Sequence, residues 1–271
     1  MRNTLALAKI TFLEGIRNRS LFGIALFALF ILGLNITVAG FFMRDIGKVS
    51  VDMNLSALNF AGILLIFFVG LNLITKDVDK KTVQLVLSKP ITRFQYILGK
   101  YCGIVAFTLC SLAILCFMSC ATLLLLLNFH ADYFGGFTWG NYLIAVFFVF
   151  VKFALLTAIV IFFSSIATSA FVALIFSLAI YLVGTTIEDV VFYLKSEIAI
   201  QEKVVSAGLE KFIGFVSYIC PNFAVFDFTM DAAHGLTIAP ERLLLALAYA
   251  AIYIAVLLLA SAAIFARREF Y

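Results

Sequence analysis

The stretch Leu21–Phe42 is apolar except at Asn35 and Thr37. The hydrocarbon core of a bilayer is about 30 Å thick, so a helix needs roughly 20 apolar residues to cross it. Five further runs meet that requirement: Ser56–Thr75, Tyr101–Asn128, Asn141–Phe163, Ala170–Ile187 and Leu243–Phe265. Backbone groups in lipid must be satisfied within their own segment, so these runs are helices. A barrel would need alternating strands, and the runs do not alternate. A mean hydropathy of +1.15, with 31 Phe and only 3 Pro among 271 residues, agrees. The expectation is an all-α membrane protein with six transmembrane helices. The first run is too long for the core of a secretory signal, and no small-x-small cleavage site follows it, so it is retained as a span.

Basic residues orient the bundle. Arg2, Lys9, Arg17 and Arg19 precede the first run. Lys76, Lys80, Lys81, Lys89, Arg93 and Lys100 lie between the second and third, and Arg267 and Arg268 lie in the tail. These segments hold twelve of the nineteen basic residues but only four of the fifteen acids. Both termini and the 76–100 loop are therefore expected in the cytoplasm. The net charge of +4 is a difference between two faces and gives no reason to invoke nucleic acid.

Few side chains suit chemistry. Cys102, Cys110, Cys116 and Cys120 all fall in the third run without a CxxC, which reads as small residues used for packing. Cys220 stands apart, so no disulfide framework is implied. No metal-ligand spacing occurs. His130 and His234 fall near the outer surface. Lys152 stands inside the fourth run, about 17 Å from Asn141 at helical rise. A charge there costs about 3 kcal/mol, which makes it a candidate for the translocation path. Facing a polar cavity or backbone carbonyls is the structural alternative. No acid lies inside any run to pair with it.

Three segments outside the runs carry pattern. In residues 1–19, Leu5, Ala8, Phe12, Leu13 and Ile16 share a helical face, with Lys9 intruding. This reads as an interfacial helix on the inner leaflet. In the 76–100 loop, Asp77 and Asp79 suit a helix start. Val83, Leu85, Val86 and Leu87 form an apolar patch, and Pro90 ends the first piece. Thr92-Arg93-Phe94-Gln95 then has the form of a capping box, with Ile91 and Tyr96 as a hydrophobic staple. Either a docking element or a simple positive-inside anchor would look like this. The 188–240 segment places Val190, Val191, Leu194, Ile198, Val205, Leu209, Phe212 and Val216 at near-helical spacing. It then becomes almost wholly apolar over Phe212–Cys220 and breaks at Pro221. We read it as an extracytoplasmic amphipathic helix followed by a re-entrant or interfacial hairpin.

The loop "DVDKKTVQLVLSKPITRFQYILGK" resembles the first cytoplasmic loop of type-2 ATP-binding-cassette permeases. Asp77 or Asp79, Thr82, Val86-Leu87-Ser88, Pro90, Ile91, Thr92, Arg93 and Gly99-Lys100 fall in matching places. Lys81 stands where that family usually has Gly. "PNFAVFDF" at 221–228 is similar to a segment of the permeases associated with nitrous-oxide-reductase maturation. The resemblance implies a single permease domain over 1–271 in a prokaryotic inner membrane, paired with a second permease subunit, identical or different. It also implies two separate cytoplasmic ATPase subunits, no cofactor, and export, the family's usual direction. The coupling contact would comprise Asp79, Thr82, Val83, Leu85, Val86, Leu87, Ser88, Pro90, Thr92 and Arg93. Ser165 and Thr168 in the second cytoplasmic turn would add a smaller one. The chain has no nucleotide site of its own, because Phe94 stands where a P-loop ending in Gly99-Lys100 needs its first Gly.

Two other classes compete. An ion-coupled secondary transporter would want inverted repeats and intramembrane acids. An intramembrane hydrolase would want a nucleophile–base pair or metal ligands deep in the bundle. Neither pattern is present in the sequence.

Overall fold

The computed structural model describes residues 2–39, 45–74, 92–129, 131–194 and 207–267. Their regular elements are all helical: α1 (Arg2–Ile16), α2 (Arg19–Ala39), α3 (Ile46–Leu64), α4 (Arg93–Phe129), α5 (Trp139–Ile166), α6 (Ala170–Leu194), α7 (Ala207–Ile219), α8 (Thr229–His234) and α9 (Pro240–Arg267). A π-turn, Leu65–Gly70, continues α3 to Ile74. Among the described residues five helices are long and apolar enough to cross a membrane: α3 with its π-turn, α4, α5, α6 and α9. Two bent pairs bring the number to as many as seven. The segments 3–16 and 21–37 meet at 61°, and 213–219 meets 224–234 at 54°.

Helix α5 is the most enclosed span, and Phe148, Phe153, Leu155 and Leu156 on it are among the most buried side chains. Helices α3, α4, α6 and α9 all pack on it. A Cβ at Gly62 of α3 would overlap the Phe153 ring, so these two helices approach closely at mid-length. Lipid-facing sides carry large exposed apolar residues, such as Phe117 on α4 and Phe171 on α6.

Helix α3 begins ten residues earlier than its apolar run. Its first turns contain Ser50 and Asn54, both fully buried. Asn35 Nδ2 of α2 and Asn54 Nδ2 both donate to the Ser50 carbonyl, at 3.0 and 2.8 Å. Ser119 of α4 donates to Asn54 Oδ1 at 2.8 Å and shares a hydrogen bond with the Tyr142 hydroxyl of α5. Asn54, Ser119 and Tyr142 enter the bundle here because three helices supply mutual partners, and a buried polar group costs little once it is hydrogen-bonded.

Helix α1 is more than a surface element. It lies along α4, where Gly99 and Gly103 form a GxxxG seam. A Cβ at Gly99 would come within 2.8 Å of Leu7 Cβ, and one at Gly103 within 2.6 Å of Thr11 Cβ. Leu7 and Thr11 are buried on that side, while Leu5, Leu13 and Ile16 of the expected interfacial face are exposed.

Candidate functional site

At 37 residues, α4 spans about 55 Å, some 25 Å more than a hydrocarbon core. Its first turns therefore have room to extend past the bilayer, and they begin where the basic loop ends. Asp77, Asp79, Thr82, Val83, Leu85, Val86, Leu87, Ser88, Pro90 and Ile91 lie outside the described residues. What is described is the frame that holds both ends of their segment.

On the α4 side the capping box forms in both directions. Thr92 N donates to Gln95 Oε1, and Gln95 N donates to Thr92 Oγ1, each at 3.2 Å. Arg93 reaches α9. Its Nη1 donates to the Phe265 and Ala266 carbonyls at 2.8 and 2.5 Å, at the C-terminal end of α9. The Tyr96 ring stacks on Phe265, with centroids 5.4 Å apart and planes 11° from parallel. On the α3 side, buried Lys100 donates from Nζ to the Leu73 carbonyl at 2.9 Å, one residue before the described part of α3 ends. The last carbonyls of a helix have no partner within it and carry the negative end of its dipole. Two cations from one helix thus donate to carbonyls in the last described turns of two others.

The three-residue turn between α5 and α6 lies between Ile166 and Ala170. Thr168 is exposed there. Ser165 is buried, and its hydroxyl donates to the Phe162 carbonyl at 2.7 Å.

Lys152 lies at mid-length of α5. Its Nζ donates to Asn59 Oδ1 of α3 at 3.2 Å and stands 5.5 Å from the centroid of the Tyr181 ring on α6. A side chain at that depth thus bridges three helices. The sequence offered no acid in depth, and the chain brings an exposed one into electrostatic reach. Pro221–Phe228 folds into the bundle, with Phe223, Phe226 and Phe228 all buried. Phe223 N donates to the Gly184 carbonyl at 2.8 Å, where Gly184 leaves room that a Cβ would fill. Asn222 N donates to the Tyr249 hydroxyl at 2.8 Å, and Phe228 packs on Phe148 with centroids 4.6 Å apart. This places Asp227 within electrostatic reach of Lys152, although the two are not in ion-pair contact. Asp227 Oδ1 instead accepts from Thr229 N at 2.9 Å, at the start of α8.

The family model described as "ABC-2 family transporter protein" matches residues 5–270. The chain belongs to that family. As an ABC-2 family member it is a membrane transport module and not an enzyme, and transporters of this kind join permeases to ATPase subunits. No curated protein matches the chain. Among the described residues no three His, Cys, Asp or Glu side chains converge where a metal ion could be held. His234 is exposed at the end of α8, its Nδ1 3.2 Å from the Met230 carbonyl, and His130 lies outside the described residues. Cys116 and Cys120 are free thiols 4.0 Å apart on one helix face.

The frame residues were partly legible. Thr92 and Gln95 were recognisable as a capping box. The inward use of Arg93 and Lys100 was not, because sequence alone does not reveal which helix ends lie beside them. The GxxxG at Gly99–Gly103 was a readable signal that the hydropathy analysis passed over.

Proposed function

We propose that this chain is the permease subunit of an ATP-driven exporter, moved by separate ATPase subunits that grip its 76–100 loop. The observation that carries the proposal is the frame around that loop. Lys100 ties its first end to α4 through Leu73, and the Thr92–Gln95 box with Arg93 fixes its second end to α4 and α9. A segment anchored this way passes a push into three spans, whereas a slack linker would absorb it.

On this reading the basic end faces the cytoplasm of a prokaryotic inner membrane, and residues 1–19 flank the coupling site there. A second permease subunit, identical or different, completes the pathway, and two ATPase subunits dock below. Asp79, Thr82, Val83, Leu85, Val86, Leu87, Ser88 and Pro90 form the main contact, with exposed Thr168 at its edge. Ser165 shapes that turn from within. Lys152 lines the path. The Pro221–Phe228 resemblance supports the subtype associated with nitrous-oxide-reductase maturation.

Hot-spot residues at an interface cost about 2 kcal/mol or more when truncated, some 30-fold in affinity. The double change Val86→Asp, Leu87→Asp is expected to release the ATPase from the purified complex while the bundle stays folded. A full complement of ATPase on the doubly substituted protein would sink the coupling role.

An ion-coupled secondary transporter is the second reading, and an acid, Asp227, within electrostatic reach of Lys152 is the observation that favours it. Uptake or efflux by the isolated chain under an ion gradient, without ATP, would select it.

A further inference from the structure

A groove of about 780 Å³ opens sideways between the N-terminal half of α9, the 3₁₀ turn Ala224–Phe226 and Glu188 on α6. Its floor is apolar, formed by Val225, Ala246, Ala248, Tyr249 and Ile252, and Leu245 and Ile252 along it are strongly exposed. Its rim is charged, with Glu188, Glu241 and Arg242. Ile252 lies eleven residues beyond Glu241 on the same helix, or about 17 Å. Half of a hydrocarbon core is about 15 Å. The groove is therefore long enough to run the depth of one leaflet from its charged end.

The rim has a particular charge balance. Arg242 is largely committed: Nη1 pairs with Asp231 Oδ2 at 2.9 Å, Nη2 reaches the Asp227 carbonyl at 3.4 Å, and the guanidinium lies 4.5 Å from the Phe228 ring centroid. A guanidinium carries five N–H donors, so it keeps capacity for an anionic oxygen. Glu188 accepts one hydrogen bond, from the neutral Asn222 amide at 2.9 Å, and has no ion pair among the described residues. Glu241 stands in the first turn of α9, also without an ion pair among them. Two carboxylates with no ion pair among the described residues thus face a mouth that also holds one guanidinium.

We propose that this groove binds one phospholipid with a primary ammonium head, of the phosphatidylethanolamine type, in the leaflet at the α9 N-terminal end. An apolar floor offers water few partners, so hydrocarbon covers it and an acyl chain fits its length. The ammonium donates to Glu188 and Glu241, and the phosphate takes the spare donors of Arg242. A choline head carries no N–H to donate, and a glycerol head carries no positive charge. The rim therefore ranks phosphatidylethanolamine above phosphatidylcholine and phosphatidylglycerol. The inference is independent of what the transporter carries.

The test is native mass spectrometry of the full chain, released from micelles containing equal amounts of these three lipids. One phosphatidylethanolamine per chain is expected in about threefold to tenfold preference, the factor that two exposed charge contacts supply together. The double change Glu188→Gln, Glu241→Gln is expected to erase the preference while a lipid is still retained. Ala248→Trp, at an exposed floor position, is expected to remove the retained lipid altogether. Equal retention of all three lipids by the unaltered chain would overturn the proposal, as would a preference that survives both glutamines. A benzophenone side chain at position 248 separates the remaining occupant. A lipid adduct supports the site, and an adduct to a second copy of the chain overturns it.

Discussion

Replacing Lys100 by Met tests whether the basic residues of the 76–100 loop serve the bundle from within. Met keeps most of the length and apolar stem of Lys, so packing against the neighbouring turns is largely retained. What is lost is the charged donor to the Leu73 carbonyl at 2.9 Å, in a side chain only 5% exposed. Hydrogen bonds to charged groups contribute about 1.5–3 kcal/mol, and a buried carbonyl stripped of its donor costs about 1–3 kcal/mol. Relief of the desolvation of a buried ammonium acts in the opposite direction. The net expectation is about 1–3 kcal/mol of lost local stability at the end of α3, which is roughly 5- to 150-fold in a local opening equilibrium. Hydrogen exchange of the amides at Leu71–Ile74 in nanodiscs reads this directly. Those amides should exchange faster by that factor, while amides in the middle of α5 stay unchanged. Lys9→Met, at an exposed position on α1, serves as the control. Equal protection at Leu71–Ile74 in Lys100→Met and Lys9→Met would refute the argument that Lys100 holds the end of α3.

Two further outcomes follow from other contacts. Gly103→Ala should destabilise the bundle by about 1–3 kcal/mol, because its Cβ meets Thr11 Cβ at 2.6 Å and the Ala8 carbonyl at 2.7 Å, forcing α1 off α4. Gly23→Ala, with nothing within 4 Å, should be neutral or slightly stabilising, and equal thermal stability of the two variants in detergent would disprove the seam. Lys152→Leu should leave insertion intact or improve it, because a mid-span charge costs about 3 kcal/mol, while substrate-stimulated ATP hydrolysis falls. Unchanged stimulation would leave Lys152 as a bridge between Asn59 and Tyr181 and nothing more.

The long apolar runs were legible because a helix in lipid must be both long and apolar, and α4, α5, α6 and α9 follow from that requirement alone. The start of α3 was not, because hydropathy scores Ser50 and Asn54 as solvent-seeking. The suitability of Asn54 for the interior depends on Ser119, which donates to it, and on Tyr142, which bonds Ser119, and both lie on other helices. The same limit hid an acid within electrostatic reach of Lys152. Asp227 lies in a stretch the sequence placed outside the spans, and only the inward fold of Pro221–Phe228 brings it near. The α1 face was half legible. Leu5, Leu13 and Ile16 do form an exposed apolar edge, but the GxxxG on α4 fixes which opposite edge is buried. Pattern along one helix shows that a face is apolar. Which neighbour it meets is a property of two helices together.

These contacts also constrain how motion at the basic end could reach the middle of the bundle. On the proposed function, a push on the loop enters α3 at Leu73, held by Lys100, and enters α4 at Thr92. Helix α4 is braced by α1 along Gly99 and Gly103 and by α9 through Arg93, so it moves as part of a frame. Helix α3 differs. Between Leu73 and Asn59 it contains the π-turn Leu65–Gly70, and such turns mark places where a helix can change its winding. Asn59 is the residue that holds Lys152. A displacement that rewinds the π-turn would rotate Asn59 relative to α5 and alter the hydrogen bond at Lys152. The same displacement carried by α4 alone would shift the frame and leave that bond intact. Coupling from the loop to mid-bundle polar groups therefore runs through α3, and the Lys100 anchor is where it begins.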